Sequence, residues 1–353
     1  MKAVVFPQPN EFEIRDVPRP EPGPGQALVK VKSTTICGTD LRVLAGLFPG
    51  VKYPHIPGHE WSGEVVAVAP DVTELSPGDR VAAEPHVGCG RCVPCMNGLY
   101  NLCEHYGDVS KGHAHIGFTV PGGLAEYCAV SVKALHKLPA NLTYDQGAFC
   151  ESLGVALYAL ERAGVEAGDN MVVVGPGAMG LVAVQLARAR GAAKVVLVGF
   201  NDGPRLALAK KLGVDETVDL AELKEDPVAH VRGLLGGKGA DVVIEFAGTA
   251  SAGQQALLFA RRGGRVALCG ATSPGKELQV DLSVIVRGHL NIFGSVANPK
   301  WICRRGLEMI SRGYVNVDAL MTHTFKLEQF GEALETFKSR TGGAYRVMLH
   351  PED

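Results

Sequence analysis

The most constraining stretch of the chain is Val172-Val173-Val174-Gly175-Pro176-Gly177-Ala178-Met179-Gly180. An apolar β run breaks into Gly-x-Gly-x-x-Gly and continues as the apolar pattern of a helix near 178–190. A glycine string alone is weak. Between a strand and a helix it has the context of a dinucleotide-binding turn. Gly175 permits the tight turn, Gly177 lets backbone approach a pyrophosphate, and Gly180 lets helix pack on strand. The helix N-terminus, at Ala178, Met179 and Gly180, supplies N–H donors and positive dipole for the phosphates.

The same alternation runs on downstream. Lys194–Val198 is followed by a helical pattern at 204–212, and Asp241–Phe246 by one near 251–260, before Arg265–Cys269. Fully apolar strands alternating with helices imply a parallel sheet covered on both faces, an α/β doubly wound fold. The second strand should end in a carboxylate that binds the ribose hydroxyls of NAD, but Gly199-Phe200-Asn201-Asp202 stands there. Gly199 takes the acidic position, so repulsion of a 2′-phosphate is weaker, and Arg205 can pair with one. Asp202 can instead swing in and serve NAD. The expectation is NAD or NADP, leaning to NADP, with Gly199, Asn201 and Arg205 near the ribose.

Residues 1–150 read differently, as short apolar or alternating runs such as Ala27–Val31, Gly63–Val68 and Arg80–Ala82, bounded by Pro, Gly and Asp. With 44 glycines and 21 prolines in 353 residues, the composition suits β structure and tight loops better than a helical bundle. After about 285 the chain is expected to return to this first domain, with a last strand near Tyr345–Leu349. The boundaries read from this pattern are 1–150, 151–290 and 291–353. Thirty-five basic residues against 37 acidic give a net charge of −2, which supports neither a nucleic-acid nor an anionic-membrane partner. No apolar run is long enough to span a membrane, and the N-terminal apolar stretch is too short for a signal peptide. A cytoplasmic location is the simplest expectation.

Nine cysteines, an odd number, argue for metal or catalytic use over a disulfide framework. Cys89, Cys92, Cys95 and Cys103 form C-x2-C-x2-C-x7-C on a Gly/Pro-rich lobe at 88–104 that suits neither helix nor strand. Four thiolates saturate a tetrahedral zinc and leave no open position, so such a site is structural. An iron–sulfur cluster is the alternative for four cysteines. Two further motifs, Cys37-Gly38-Thr39-Asp40 and Gly58-His59-Glu60, carry a thiolate, an imidazole and a carboxylate on Gly-flanked turns, all good zinc ligands. No second His follows His59-Glu60 at helical spacing, which excludes a metalloprotease motif. Cys128, Cys150, Cys269 and Cys303 read as buried free thiols.

These motifs occur in the order Cys-Gly-Thr-Asp, Gly-His-Glu-x-x-Gly, cysteine lobe, Gly-x-Gly-x-x-Gly. In that order the chain resembles the zinc-containing medium-chain dehydrogenase/reductase (alcohol dehydrogenase) family over its whole length. Glu151-Ser152-Leu153-Gly154-Val155 resembles a segment of sorbitol dehydrogenases, and threonine dehydrogenases share the Cys-Gly-Thr-Asp-Leu start. The resemblance implies a GroES-like β-rich catalytic domain plus a Rossmann domain, two zinc ions per chain, one catalytic and one structural, and a homotetramer. It implies Cys37 and His59 as catalytic zinc ligands and Glu60 as ligand or near-ligand. Glu151 matches the third protein ligand, directly or through water. Thr39 matches the hydroxyl that hydrogen-bonds the reacting oxygen, and Arg346 the late arginine that holds the cofactor pyrophosphate. Two departures stand out. Arg42 replaces a proton-relaying histidine and cannot release a proton at accessible pH. Val43 replaces the aromatic residue that polyol dehydrogenases tend to carry.

The implied reaction is hydride transfer from a polar secondary alcohol, such as a polyol, sugar or hydroxy-amino acid, to the nicotinamide. An NADPH-dependent ketone or aldehyde reductase is the alternative direction. A non-catalytic dinucleotide-binding redox sensor is an alternative of another class. A zinc-free quinone reductase shares the fold but would lack Cys37 and the lobe. Phe48, Tyr53, Trp61 and Phe118 are candidate pocket residues.

Overall fold

Apolar residues that alternate or run together between Gly and Pro punctuation become strands here, and the longest of them organise two separate sheets. The computed structural model describes residues 1–270 and 276–351. It divides into one unit of Met1–Gly154, Asn298–Arg312 and Val317–Asp353, and a second of Val155–Ala297 and Gly313–Asn316.

The second unit holds a six-stranded sheet, parallel throughout. Its spatial order is Glu216–Asp219, Lys194–Gly199, Asn170–Val174, Ala240–Glu245, Ala260–Leu268, Asn291–Gly294. In chain order that is 3-2-1-4-5-6, the doubly wound Rossmann arrangement. Met171, Val172, Val173, Val195, Val196, Leu197, Val242, Val243 and Ile244 are buried because helices cover both faces. The helix Ala178–Ala189 is buried from Gly180 to Ala187 and ends before Gly191, whose positive φ of 84° closes the last turn.

The first unit is built on a seven-stranded sheet centred on Gln26–Thr35. That strand pairs antiparallel with Trp61–Val68 on one edge, and with both Tyr127–Ser131 and Arg346–His350. The chain therefore returns to this sheet at its far end, where Met321–Lys326 adds a parallel edge strand. One core gathers Val29, Val31, Trp61, Val65 and Val81, and another Phe6, Ile36, Leu124, Phe330 and Val347. The cysteine lobe, which its composition suggested would hold neither helix nor strand, contains a four-residue helix, Val93–Met96, with proline in its first turn. Proline is tolerated there because that N–H has no helical partner. Among the described residues no helix is long and apolar enough to cross a membrane.

Candidate metal centre and dinucleotide turn

Strand register builds the first site. Thr34 faces Trp61 across one antiparallel pair, and Thr35 faces Met348 across the other. Cys37 lies just past the end of the central strand, while His59 and Glu60 lie just before the start of one neighbour and Arg346 opens the other. Three strand ends therefore meet at one place, from segments about 20 and 290 residues apart. The turn into His59 needs glycine. Gly58 has φ +99°, and a Cβ there would overlap the Leu124 backbone.

One donor atom each from Cys37, His59 and Glu60 lies within 4.8 Å of the others. Asp40, 1% exposed, accepts the Cys37 backbone N–H through Oδ2 at 2.8 Å and offers Oδ1 to His59 Nδ1 at 3.2 Å. With Nδ1–H given to Asp40, the Nε2 lone pair of His59 is the one free for a metal. Glu60 accepts from Thr35 Oγ1 and from both terminal nitrogens of Arg346, with Nη2 to Oε1 at 3.0 Å. Burial opposes its charge, but Arg346, His59 and Thr35 outweigh burial and hold the carboxyl below its ordinary value. Glu151 opens the helix Cys150–Arg162 and is pushed up to about 8 by burial and by the charge of Glu60. Burial disfavours charge on His59, yet Asp40 and Cys37 raise it well above its ordinary value. The pocket gathers acidic groups around His59. A dication suits both the field and the donor types, since thiolate, imidazole and carboxylate are all zinc ligands. Thr39 Oγ1 stands 3.8 Å from Cys37 Sγ and is partly exposed.

Phe118 packs against His59 with ring centroids 4.9 Å apart and against Phe48 at 4.4 Å. Trp61 is fully buried in the sheet core and Tyr53 is tied through its hydroxyl to the Val43 carbonyl. Arg42 sits in the last turn of the helix Gly38–Leu44, where its charge complements the dipole.

In the lobe, Cys89, Cys92, Cys95 and Cys103 bring their sulfurs within 4.8 Å of one another. The Cys89–Cys95 and Cys92–Cys103 sulfurs are 4.0 and 3.9 Å apart. Four sulfurs at a Zn–S length of roughly 2.3 Å on a tetrahedron are separated by about 3.8 Å, so the lobe fits zinc with little movement. The backbone N–H of Arg91 pulls the Cys89 thiol down to about 5, with help from Cys92 and His105.

In the second unit Gly175 follows the first strand with φ +104°, and a Cβ there would press on Ala247 beyond the fourth strand. The turn therefore lies where strand order reverses, at the carboxyl ends, the place where such sheets bind ligands. A Cβ at Gly180 would overlap the Gly175 carbonyl, whereas one at Gly177 would meet nothing within 4 Å. Gly177 is the N-cap of its helix and has no side chain to satisfy the first N–H groups of Ala178, Met179 and Gly180. That is a phosphate cradle in shape and chemistry. Gly199 ends the second strand, and a Cβ there would meet Pro176 at 3.0 Å. Asn201 is held at φ +54° because its N–H and that of Asp202 donate to Asp219, at 2.7 and 3.0 Å. Arg205 Nη1 lies 3.6 Å from Asp202 Oδ1.

The structure adds Thr35, Asp40 and Asp219 to the residues read from sequence. Asp40 stood inside the Cys-Gly-Thr-Asp motif, and its position three residues into a helix was the available signal. Thr35 and Asp219 left none.

A nicotinamide-type dinucleotide turn and a Cys/His/Glu metal centre define a zinc-binding dehydrogenase. Comparison with known proteins agrees. The alcohol dehydrogenase GroES-like domain matches residues 23–140 and the zinc-binding dehydrogenase domain matches 178–311. The chain is 34% identical to sorbitol dehydrogenase of Halalkalibacterium halodurans, over 100% of each chain. It is 34% identical to L-threonine 3-dehydrogenase of Bacillus licheniformis, over 99% of each. A zinc-binding dehydrogenase target from Sinorhizobium meliloti 1021, solved bound to NADP, superposes with a TM-score of 0.89 at 33% identity over 99% of each chain. The chain belongs to the zinc-containing alcohol dehydrogenase family of medium-chain dehydrogenases, in its sorbitol and threonine dehydrogenase-like branch. It is an oxidoreductase that uses zinc and a nicotinamide cofactor.

Proposed function

We propose that this enzyme oxidises the secondary hydroxyl of a small polar alcohol, a polyol, sugar or hydroxy-amino acid, to the carbonyl. The observation that carries this reading is the convergence of Cys37, His59 and Glu60 with Thr39 at their edge. Sorbitol and L-threonine, the compounds named in the relatives above, each carry a secondary hydroxyl next to a carbon that bears a polar group. When bound, zinc supplies Lewis acidity and the nicotinamide accepts hydride.

The chain's residues do the rest. Cys37, His59 and either Glu60 or Glu151 hold the catalytic cation, and Asp40 keeps the His59 ring in orientation. Arg346 fixes Glu60 through both terminal nitrogens, and its buried guanidinium is thereby committed to the metal centre. Thr39 accepts the proton of the reacting hydroxyl or donates to its oxygen. Arg42 cannot take that proton onward, so Thr39 is the group of this chain that would pass it toward water. Phe48 and Phe118 shape one wall beside His59 and keep bulk water from it.

The open Cys37 set and the four-cysteine lobe support one catalytic and one structural zinc per chain. Gly199 carries no carboxylate, and Asp202 is turned to Arg205, which leaves a 2′-phosphate less opposed. We therefore favour NADP over NAD, with Gly199, Asn201 and Arg205 at the ribose. A homotetramer in the cytoplasm completes the proposal.

The test is reduced-nicotinamide absorbance with a panel of polyols, aldoses, threonine and simple secondary alcohols, each with NAD and with NADP, before and after chelation. A chelator-sensitive signal on polar secondary alcohols supports the reading. Turnover confined to primary or apolar alcohols overturns it.

A further inference from the structure

A third group of metal-type donors lies in the first unit, apart from both sets above. His136 comes from the strand Leu135–Lys137, Cys150 opens the helix Cys150–Arg162, and Cys303 lies on the helix Lys300–Ser311. One donor atom of each lies within 4.8 Å of the others, and all three residues are buried. Glu84, 1% exposed, faces the same cluster, with Oε2 3.1 Å from His136 Nε2.

These groups are poorly satisfied by one another. His136 Nε2 is aligned for no hydrogen bond despite its nearness to Glu84, and Glu84 Oε1 has no partner. Tyr100 donates to Glu84 Oε2 at 2.6 Å. Asn298 Nδ2 donates to Cys303 Sγ at 3.0 Å, and the Cys303 thiol donates in turn to the Cys150 carbonyl at 3.7 Å. Buried polar atoms that are left unpaired are costly and call for an explanation. A soft-to-borderline cation would satisfy the sulfurs, the ring nitrogen and the carboxylate together.

We propose that His136, Cys150 and Cys303, with Glu84 as fourth donor, form an additional structural zinc site. Two sulfurs and one imidazole make three tetrahedral zinc ligands, and the Glu84 carboxylate, which lies beside His136 and outside the three-donor group, would have to turn toward the sulfurs to close the set. Asn298 and Tyr100 support it by hydrogen bonds to a sulfur and a carboxylate, the outer contacts that tune metal sites. Cys150 and Glu151 are neighbours on one helix, and successive helical side chains diverge by roughly 100°, so they serve different centres. The site joins three segments distant in sequence. It fastens the returning segment 298–312 to the strand at 135–137 and to the start of the helix at 150. A metal clip that closes so long a loop stabilises by restricting the unfolded chain.

The test is metal content of the purified enzyme after exposure to excess zinc and gel filtration. Three zinc ions per chain are expected in the wild type and two in Cys303→Ala. The Cys37→Ala variant should also lose one, but a different one. Cobalt substitution separates these cases. The wild type minus Cys303→Ala difference should show a thiolate-to-cobalt charge-transfer band and tetrahedral d–d absorption. If Cys303→Ala does not fold, His136→Gln should fold and give the same loss of one ion. Two zinc ions in the wild type, or three in a folded His136→Gln, would overturn the site and leave a metal-free hydrogen-bonded cluster.

Discussion

Asp40 shows how one carboxylate serves two tasks. It caps the helix that follows Cys37 and orients His59 across the strand junction. Asp40→Asn keeps the shape but weakens the charge-assisted bond to the ring. Activity or zinc affinity should fall by about 10–100-fold, read as kcat and as zinc loss to a competing chelator. Unchanged values would mean that Asp40 only caps the helix. Close by, His86 and His115 stack with centroids 4.1 Å apart, and the Tyr106 hydroxyl shares a hydrogen bond with His115 Nδ1. Burial, helped by the neighbouring His113 and His59, pushes His86 down to about 3, and burial holds His115 well below its ordinary value. Below pH 6.5 the unfolded chain takes up protons that these buried rings refuse, so stability falls as pH drops through that window. Each pH unit costs about 1.4 kcal/mol for such a histidine. Urea midpoints at pH 7.5 and 5.5 should differ less in His86→Gln than in the wild type, and equal differences would refute the assignment. The zinc-type residues were legible because each sits in a short motif. The Arg346–Glu60 pair and the histidine stack were not, since nothing local marks residues joined only by the fold.

Elements were legible where their period was strong. The strands read at Lys194–Val198 and Asp241–Phe246 and the helices after them lie within a residue or two of their sequence reading, whereas the strand read at Arg265–Cys269 begins at Ala260 and those at Glu216–Asp219 and Asn291–Gly294 were not read. The edge strand Met321–Lys326 was not read, because its polar alternation resembles a loop until a neighbour pairs with it. The turn Gly175–Gly180 makes an element-scale prediction. A methyl group at Gly180 collides with the Gly175 carbonyl and spreads strand from helix. Gly180→Ala should raise the cofactor KM by about tenfold or more while zinc content stays at the wild-type value. A loss of zinc instead would point to general misfolding. The cysteine lobe has little secondary structure of its own, so on the proposed reading its order rests on a bound zinc. Cys103→Ser should remove one zinc per chain and lower Tm by about 5 °C or more. Metal analysis and a thermal melt decide this, and an unchanged metal count would refute it.

At the scale of the whole molecule, chemistry is divided between the two units. The first carries every candidate metal ligand, and the second carries the glycine turn. This division follows from the materials. A parallel sheet offers helix N-termini at its carboxyl edge, which suit phosphates. Antiparallel strand ends bring distant side chains together, which suits a coordination sphere. The two binding steps should therefore separate. Cys37→Ala removes one thiolate from the first unit and leaves every residue of the sheet that holds the turn unchanged. The variant should bind NADP with an affinity within about threefold of wild type, a difference of roughly 0.6 kcal/mol, measured by fluorescence or calorimetry. Its turnover should fall below detection, and its zinc content should drop by one. Loss of cofactor binding along with the metal would show that the cation also builds the nucleotide site, and the division argued from the fold would fail. Retained turnover without the zinc would instead show that hydride transfer here needs no cation, and would return the Cys37 cluster to a structural role.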